Sequence, residues 1–96
     1  MASERRRVRL HALVVQVRDG LSGTPLPGVM VVARSGLRHS EAERTDAQGA
    51  AQLDLLQGVF QIFATHPDYH SSVTPHIEVR AAQRADDILL MPITLP

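Results

Sequence analysis

The stretch Thr45-Asp46-Ala47-Gln48-Gly49-Ala50-Ala51-Gln52-Leu53-Asp54-Leu55-Leu56-Gln57-Gly58-Val59-Phe60-Gln61-Ile62-Phe63-Ala64-Thr65 decides the fold. Asp46 to Gly49 has tight-turn chemistry: an aspartate that accepts hydrogen bonds from its own backbone, and a glycine free to take positive φ. Ala50 to Leu55 then alternates, with Ala51, Leu53 and Leu55 on one side. A second turn at Leu56-Gln57-Gly58 leads into Val59 to Thr65, which alternates again. Phe60, Ile62 and Ala64 share one face there, and Val59 and Phe63 the other. A period of two marks a strand with one buried face.

The same grammar extends in both directions. Arg7 to Arg18 reads as the first strand, with Leu13, Val15 and Val17 on its inner row and Leu10 and Val14 towards the other face. Asp19 to Gly28 is a long turn rich in glycine and proline, and Val29 to Arg34 a compact apolar strand. Ser35 to Ser40 reads as an exposed loop. Glu41 to Thr45 is a polar edge strand whose charges discourage edge-to-edge association. Further on come a loop from His66 to His70, a strand from Ser72 to Arg80 interrupted by Pro75, and a last strand from Asp87 to Ile93. About seven short strands at roughly ten-residue spacing are the mark of a β-sandwich. Only Ala81 to Ala85 hints at helix, and it is too short to stand alone. The expected class is all-β.

Bulk properties set the limits. A chain of 96 residues is one domain, expected at residues 9–96 behind a basic tail at 1–8. At this size folding buries only about 60–65% of the unfolded surface, so the core is thin. Aromatics amount to 3% (Phe60, Phe63 and Tyr69), which leaves the packing to valine and leucine. The formal net charge is zero, and every basic residue is arginine. A neutral chain has no global electrostatic reason to seek nucleic acid, and its basic cluster is confined to Arg5, Arg6, Arg7 and Arg9. The absence of cysteine excludes disulfides, thiolate chemistry and cysteine zinc sites. Leu10 to Val17 superficially suggests a signal peptide, but it contains His11 and Gln16 and lacks a small-residue cleavage site. No run approaches the length of a membrane span. The expectation is a cytoplasmic domain.

The turns carry a resemblance. Val17-Arg18-Asp19 with Gly23-Thr24-Pro25-Leu26-Pro27-Gly28-Val29, then Thr45-Asp46-Ala47-Gln48-Gly49, then Leu55 to Phe60, then His66-Pro67-Asp68-Tyr69 resemble carboxypeptidase regulatory-like domains of the transthyretin-like (prealbumin) fold. The likeness runs from about Arg9 to Leu90. It implies a transthyretin-like or Ig-like Greek-key β-sandwich of about seven strands. These are turn motifs, so they specify fold better than function. Pro67-Asp68 stands where the family usually has glycine. Tyr69 is expected to pack its ring on the sandwich end and to hydrogen-bond a backbone partner.

The catalytic relatives that the resemblance implies are the 5-hydroxyisourate hydrolases, which open with a similar aspartate–glycine–proline turn. They have a histidine where this chain has Gln16, an arginine where it has Ala50, and a Tyr-Arg-Gly-Ser end where it has Pro92 to Pro96. Losing a base and a charged stabiliser together removes most of the means of catalysis. No enzyme activity and no cofactor are expected. His66, Asp68 and His70, with His76 beyond them, form the one constellation of metal-ligand types, since His-x-Asp-x-His offers two imidazoles and a carboxylate. No second shell of supporting residues is visible, so His66, Asp68 and His70 are taken as candidate binding residues of a polar loop rather than as a metal site. The expected function is a non-catalytic module that binds another protein or supports a neighbouring domain. A self-assembling sandwich is the alternative, because the first and last strands carry apolar residues on both faces (Leu89, Leu90 and Met91 in the last).

Overall fold

The structure is a computed structural model and describes residues 9–93. The expected basic tail at residues 1–8 lies outside the described residues. The chain forms β1 (His11–Asp19), β2 (Met30–Ser35), β3 (Arg38–His39), β4 (Glu43–Arg44), β5 (Ala50–Leu55), β6 (Gly58–His66), β7 (Tyr69–Val79) and β8 (Gln83–Leu90). One sheet has the order β5-β1-β8; the other has the order β3-β2-β6-β7, with β4 sharing the free side of β2. The chain changes sheet between β1 and β2, β4 and β5, β5 and β6, and β7 and β8. The result is the expected Greek-key sandwich. It has eight strands where about seven were expected, because Gly36-Leu37 turns the Ser35–Ser40 segment into a hairpin that adds β3.

The core lies where alternation placed it. Leu13, Val15 and Val17 of β1 are fully enclosed, as are Val31 and Ala33 of β2. Leu53 and Leu55 of β5 and Ile62 and Ala64 of β6 close over them, joined by Ile88 and Leu90 of β8. Each large aliphatic removed from water contributes on the order of 1.5–3 kcal/mol, and with so few aromatics these side chains carry the stability.

The Thr45-to-Gly49 turn holds the two sheets at one end. Thr45 is buried; its hydroxyl donates to the Leu26 carbonyl at 2.6 Å and accepts from the Val29 amide at 2.9 Å. Asp46 Oδ1 accepts from the Gln48 and Ala50 amides, as the turn chemistry predicts. Gly49 takes φ 76° beneath β1, and its carbonyl accepts from the Val17 amide. Buried Gln16 donates to the Gln48 carbonyl and pins the turn from below.

Three local expectations are corrected. Pro75 does not interrupt its strand. β7 is the edge of its sheet, and Pro75 sits in a bulge, where Ile62 pairs with Thr74 but Phe60 pairs with Ile77. A residue without an N–H is tolerated in both settings. The Ala81–Ala85 helical hint becomes strand from Gln83, because pairing of Leu13 with Gln83 and Val15 with Ala85 outweighs weak local propensity. The His66–His70 loop shrinks to the turn Pro67-Asp68, with His66 ending β6 and Tyr69 and His70 beginning β7.

Candidate functional site

The expected binding residues come together only in part. The His66 ring accepts from the Asp68 amide through Nδ1 at 3.1 Å and meets the Tyr69 ring edge-on at a centroid distance of 5.2 Å. Asp68 and His70 are exposed, and the His70 amide donates to the Met91 carbonyl. His66 is thus engaged within its own turn. Among the described residues no group of three His, Cys, Asp or Glu side chains could hold a metal ion. Tyr69 also differs from expectation. Its hydroxyl donates to a side chain, Asp19 Oδ2, at 2.8 Å rather than to a backbone group. Asp19 Oδ1 meanwhile accepts from the Leu21 and Ser22 amides. The Ser22 amide first, then the Tyr69 hydroxyl and the Leu21 amide, hold the Asp19 carboxyl below its ordinary value. The bond to Asp19 in turn pushes the Tyr69 hydroxyl up.

The outer face of the β2–β6–β7 sheet has the more pronounced character. Because Val31 and Ala33 point into the core, Met30, Val32 and Arg34 point out of β2. Likewise Phe60, Ile62 and Ala64 point in, leaving Val59, Gln61, Phe63 and Thr65 outside on β6. Register then arranges these residues in rows. Val32 pairs with Phe63 and Phe63 with Val73, so the three form one apolar band across the strands. On one side lies a row of His39, Arg34 and Gln61, on the other a row of Arg44, Met30 and Thr65. Val73 is 48% exposed, and Val32 and Phe63 are half-buried. A shallow depression of about 300 Å³ bounded by Met30, Arg44, Thr65 and His66 continues the face to the hairpin. His66 therefore touches this surface, although not in the company expected for it.

Other surfaces mix apolar and charged residues more closely. On the outer face of the β5–β1–β8 sheet, Leu89 is 51% exposed but sits beside Arg18, and Val14 lies between Gln52 and Arg84. Arg18, Gln52 and Arg84 thus interleave with the apolar residues of the first and last strands, while Leu89 and Met91 stay exposed side by side at one end. A cleft of about 240 Å³ near Leu10, Leu56 and Phe60 falls below the usual size of ligand cavities, about 300–1,000 Å³. Gln16 and Ala50 pair directly across β1 and β5, so the two hydrolase positions do meet, but neither side chain can carry a charge.

The unbroken apolar run from Val29 to Ala33, and Val59 and Phe63 opposite Phe60, Ile62 and Ala64, signal that both strands also carry apolar residues on the outer face. Neither Arg34 nor Arg44 stands out in the sequence, because they reach the same face only through the direct pairing of β4 with β2.

Residues 12–90 match the carboxypeptidase regulatory-like domain. The chain belongs to that family. Its regulatory-like fold has solved counterparts. A chain of the type II cohesin–X-dockerin complex from Acetivibrio cellulolyticus, in a C-terminal interface mutant, superposes with TM-score 0.68 at 16% identity over 83% of this chain and 56% of that one. The N-terminal interface mutant of that complex gives TM-score 0.66 at 13% identity over 85% and 58%. The 5-hydroxyisourate hydrolase of Klebsiella pneumoniae gives TM-score 0.66 at 18% identity over 85% and 90%. These likenesses speak for the fold. The carboxypeptidase regulatory-like domain spans a little over half the length of the two cohesin–X-dockerin chains. No curated protein matches it. Among the described residues no helix is long and apolar enough to cross a membrane.

Proposed function

We propose that this carboxypeptidase regulatory-like domain is a non-catalytic module that binds another protein or props up a neighbouring domain. The Val32–Phe63–Val73 band carries the reading. An apolar row on an open sheet face costs solubility unless something covers it, and a rim of polar residues around such a row is the usual anatomy of an interface. Family membership supports the same reading, as do Gln16 and Ala50 at the two hydrolase positions.

A photoreactive phenylalanine analogue placed at position 63 tests it, with position 52 on the opposite sheet as control. A single defined adduct from position 63 and none from position 52 is expected. Equal labelling from both, or no adduct from either, overturns the reading. Consumption of 5-hydroxyisourate by the purified protein above the uncatalysed rate would overturn the non-catalytic part.

A further inference from the structure

We propose that the outer face of the β2–β6–β7 sheet takes an acidic, apolar segment of a partner protein, with carboxylates on Arg34 and Arg44 on either side of Val32, Phe63 and Val73. This rests on the protein-binding reading above and adds the chemistry of the partner. Arg34 lies two residues from Val32 in one direction, and Arg44 pairs with Met30, two residues away in the other. Along β2 the two arginines therefore stand about 13 Å apart, the span of five residues of extended chain. An incoming strand with acidic residues at its ends and an apolar residue between, all on one face, matches that spacing.

Beside the apolar band the charge on this face has one sign. β2, β4 and β6 place no carboxylate on it, and Glu78 of β7, opposite Val59 at the far end, is held by Arg80. The ion pairs among the described residues are Arg80–Glu78 and Arg84–Asp86, so Arg34 and Arg44 have no carboxylate partner there. Guanidinium groups beside an apolar band suit a carboxylate brought in by a partner, because planar donors pair well with it once water is excluded. Two copies of this chain meeting through the same face would set arginine against arginine, which disfavours self-association here. An anionic membrane would draw on more than two cations.

A random dodecapeptide library selected on the immobilised full chain, counter-selected with F63D, tests the proposal. Enriched peptides are expected to carry two carboxylates flanking an apolar centre, and the double variant R34E/R44E is expected to weaken them at least about tenfold. R34E/R44E alters exposed side chains and keeps the test informative should F63D fail to fold. Phe63-dependent binders that are neutral or basic would overturn the acidic chemistry while leaving the docking face in place. Binders indifferent to both variants would overturn the proposal together with the reading beneath it. Phe63-dependent sedimentation with phosphatidylserine vesicles, or a dimer dissociated by F63D, would assign the face to a membrane or to a second copy and overturn it too.

Discussion

The Tyr69 hydroxyl donates to Asp19 Oδ2 at 2.8 Å, joining the first residue of β7 to the last of β1 across 50 positions of sequence. The same corner is tied by backbone bonds, from the His70 amide to the Met91 carbonyl and from the Ile93 amide to the Asp68 carbonyl. The chain leaving β8 is thereby fastened to the opposite sheet, where no ladder runs between β7 and β8. The Asp19–Tyr69 bond is the side-chain clasp of that corner.

The clasp has a pH signature. The folded Asp19 carboxyl sits below its ordinary value, so its contribution is complete above about pH 4 and is lost as pH falls through the folded value. The folded Tyr69 hydroxyl sits above its ordinary value, so its contribution is complete below about pH 10 and is lost as pH rises through the folded value. Tyr69→Phe is expected to lower the melting temperature by a constant amount from about pH 5 to 9, the difference shrinking beyond either limit. Thermal melts of both proteins decide it. A difference that is the same at neutral pH and well below the aspartate range would contradict the assignment.

Thr45 bonds two backbone groups of the Leu26–Val29 segment with one hydroxyl. Thr45→Val keeps the shape but strands the Leu26 carbonyl and the Val29 amide away from water. A loss of about 2–4 kcal/mol in urea unfolding is expected, because a buried orphan costs more than a bond is worth. Thr45→Ser should recover most of it. Little loss in Thr45→Val beside a larger one in Thr45→Ser would show that the methyl group, not the hydroxyl, matters.

Two glycines with almost the same backbone separate conformation from contact. Gly23, at φ 77°, has open space where a Cβ would go, so Gly23→Ala should cost about 1–2 kcal/mol for the left-handed backbone alone. At Gly49, φ 76°, a Cβ would lie 2.8 Å from Gln16 Nε2 and closer still to the Val17 carbonyl. Gly49→Ala is expected to cost on the order of 3 kcal/mol or more, since a β-strand must move as well. Chemical denaturation of the pair measures the gap directly.

Pro75 guards an exposed edge. Pro75→Thr adds an N–H and a strand-favouring side chain to β7 without touching the core, so unfolding free energy should change by less than about 0.5 kcal/mol. Self-association at high concentration should rise, because the mid-strand gap in edge donors is closed. Sedimentation velocity distinguishes the two proteins; an unchanged monomer fraction would mean that the bulge alone protects the edge.

Part of this architecture is legible in the amino-acid order. β5 spans Ala50 to Leu55 as alternation predicts, and β6 extends its predicted span by one residue at each end. Both strands are bounded by local turn chemistry, with Asp46 bonding its own turn and Gly49 at positive φ. The inward sets Leu13-Val15-Val17 and Phe60-Ile62-Ala64 follow from period-two geometry, which needs only neighbouring residues.

Pairing decided the rest. β3 has two residues, too few to show a period, and exists because Gly36-Leu37 folds it back on β2. Gln83 to Ala85 became strand because β1 offered a partner, and Tyr69 found Asp19 because two sheet ends converge. The outer face of the β2–β6–β7 sheet is the clearest case. Val32, Phe63, Val73, Arg34 and Arg44 come from four strands, and each is ordinary in its own segment. Local chemistry can say which side of a strand a residue faces. Only the register between strands, a long-range packing outcome, brings the apolar band and its two arginines onto one face.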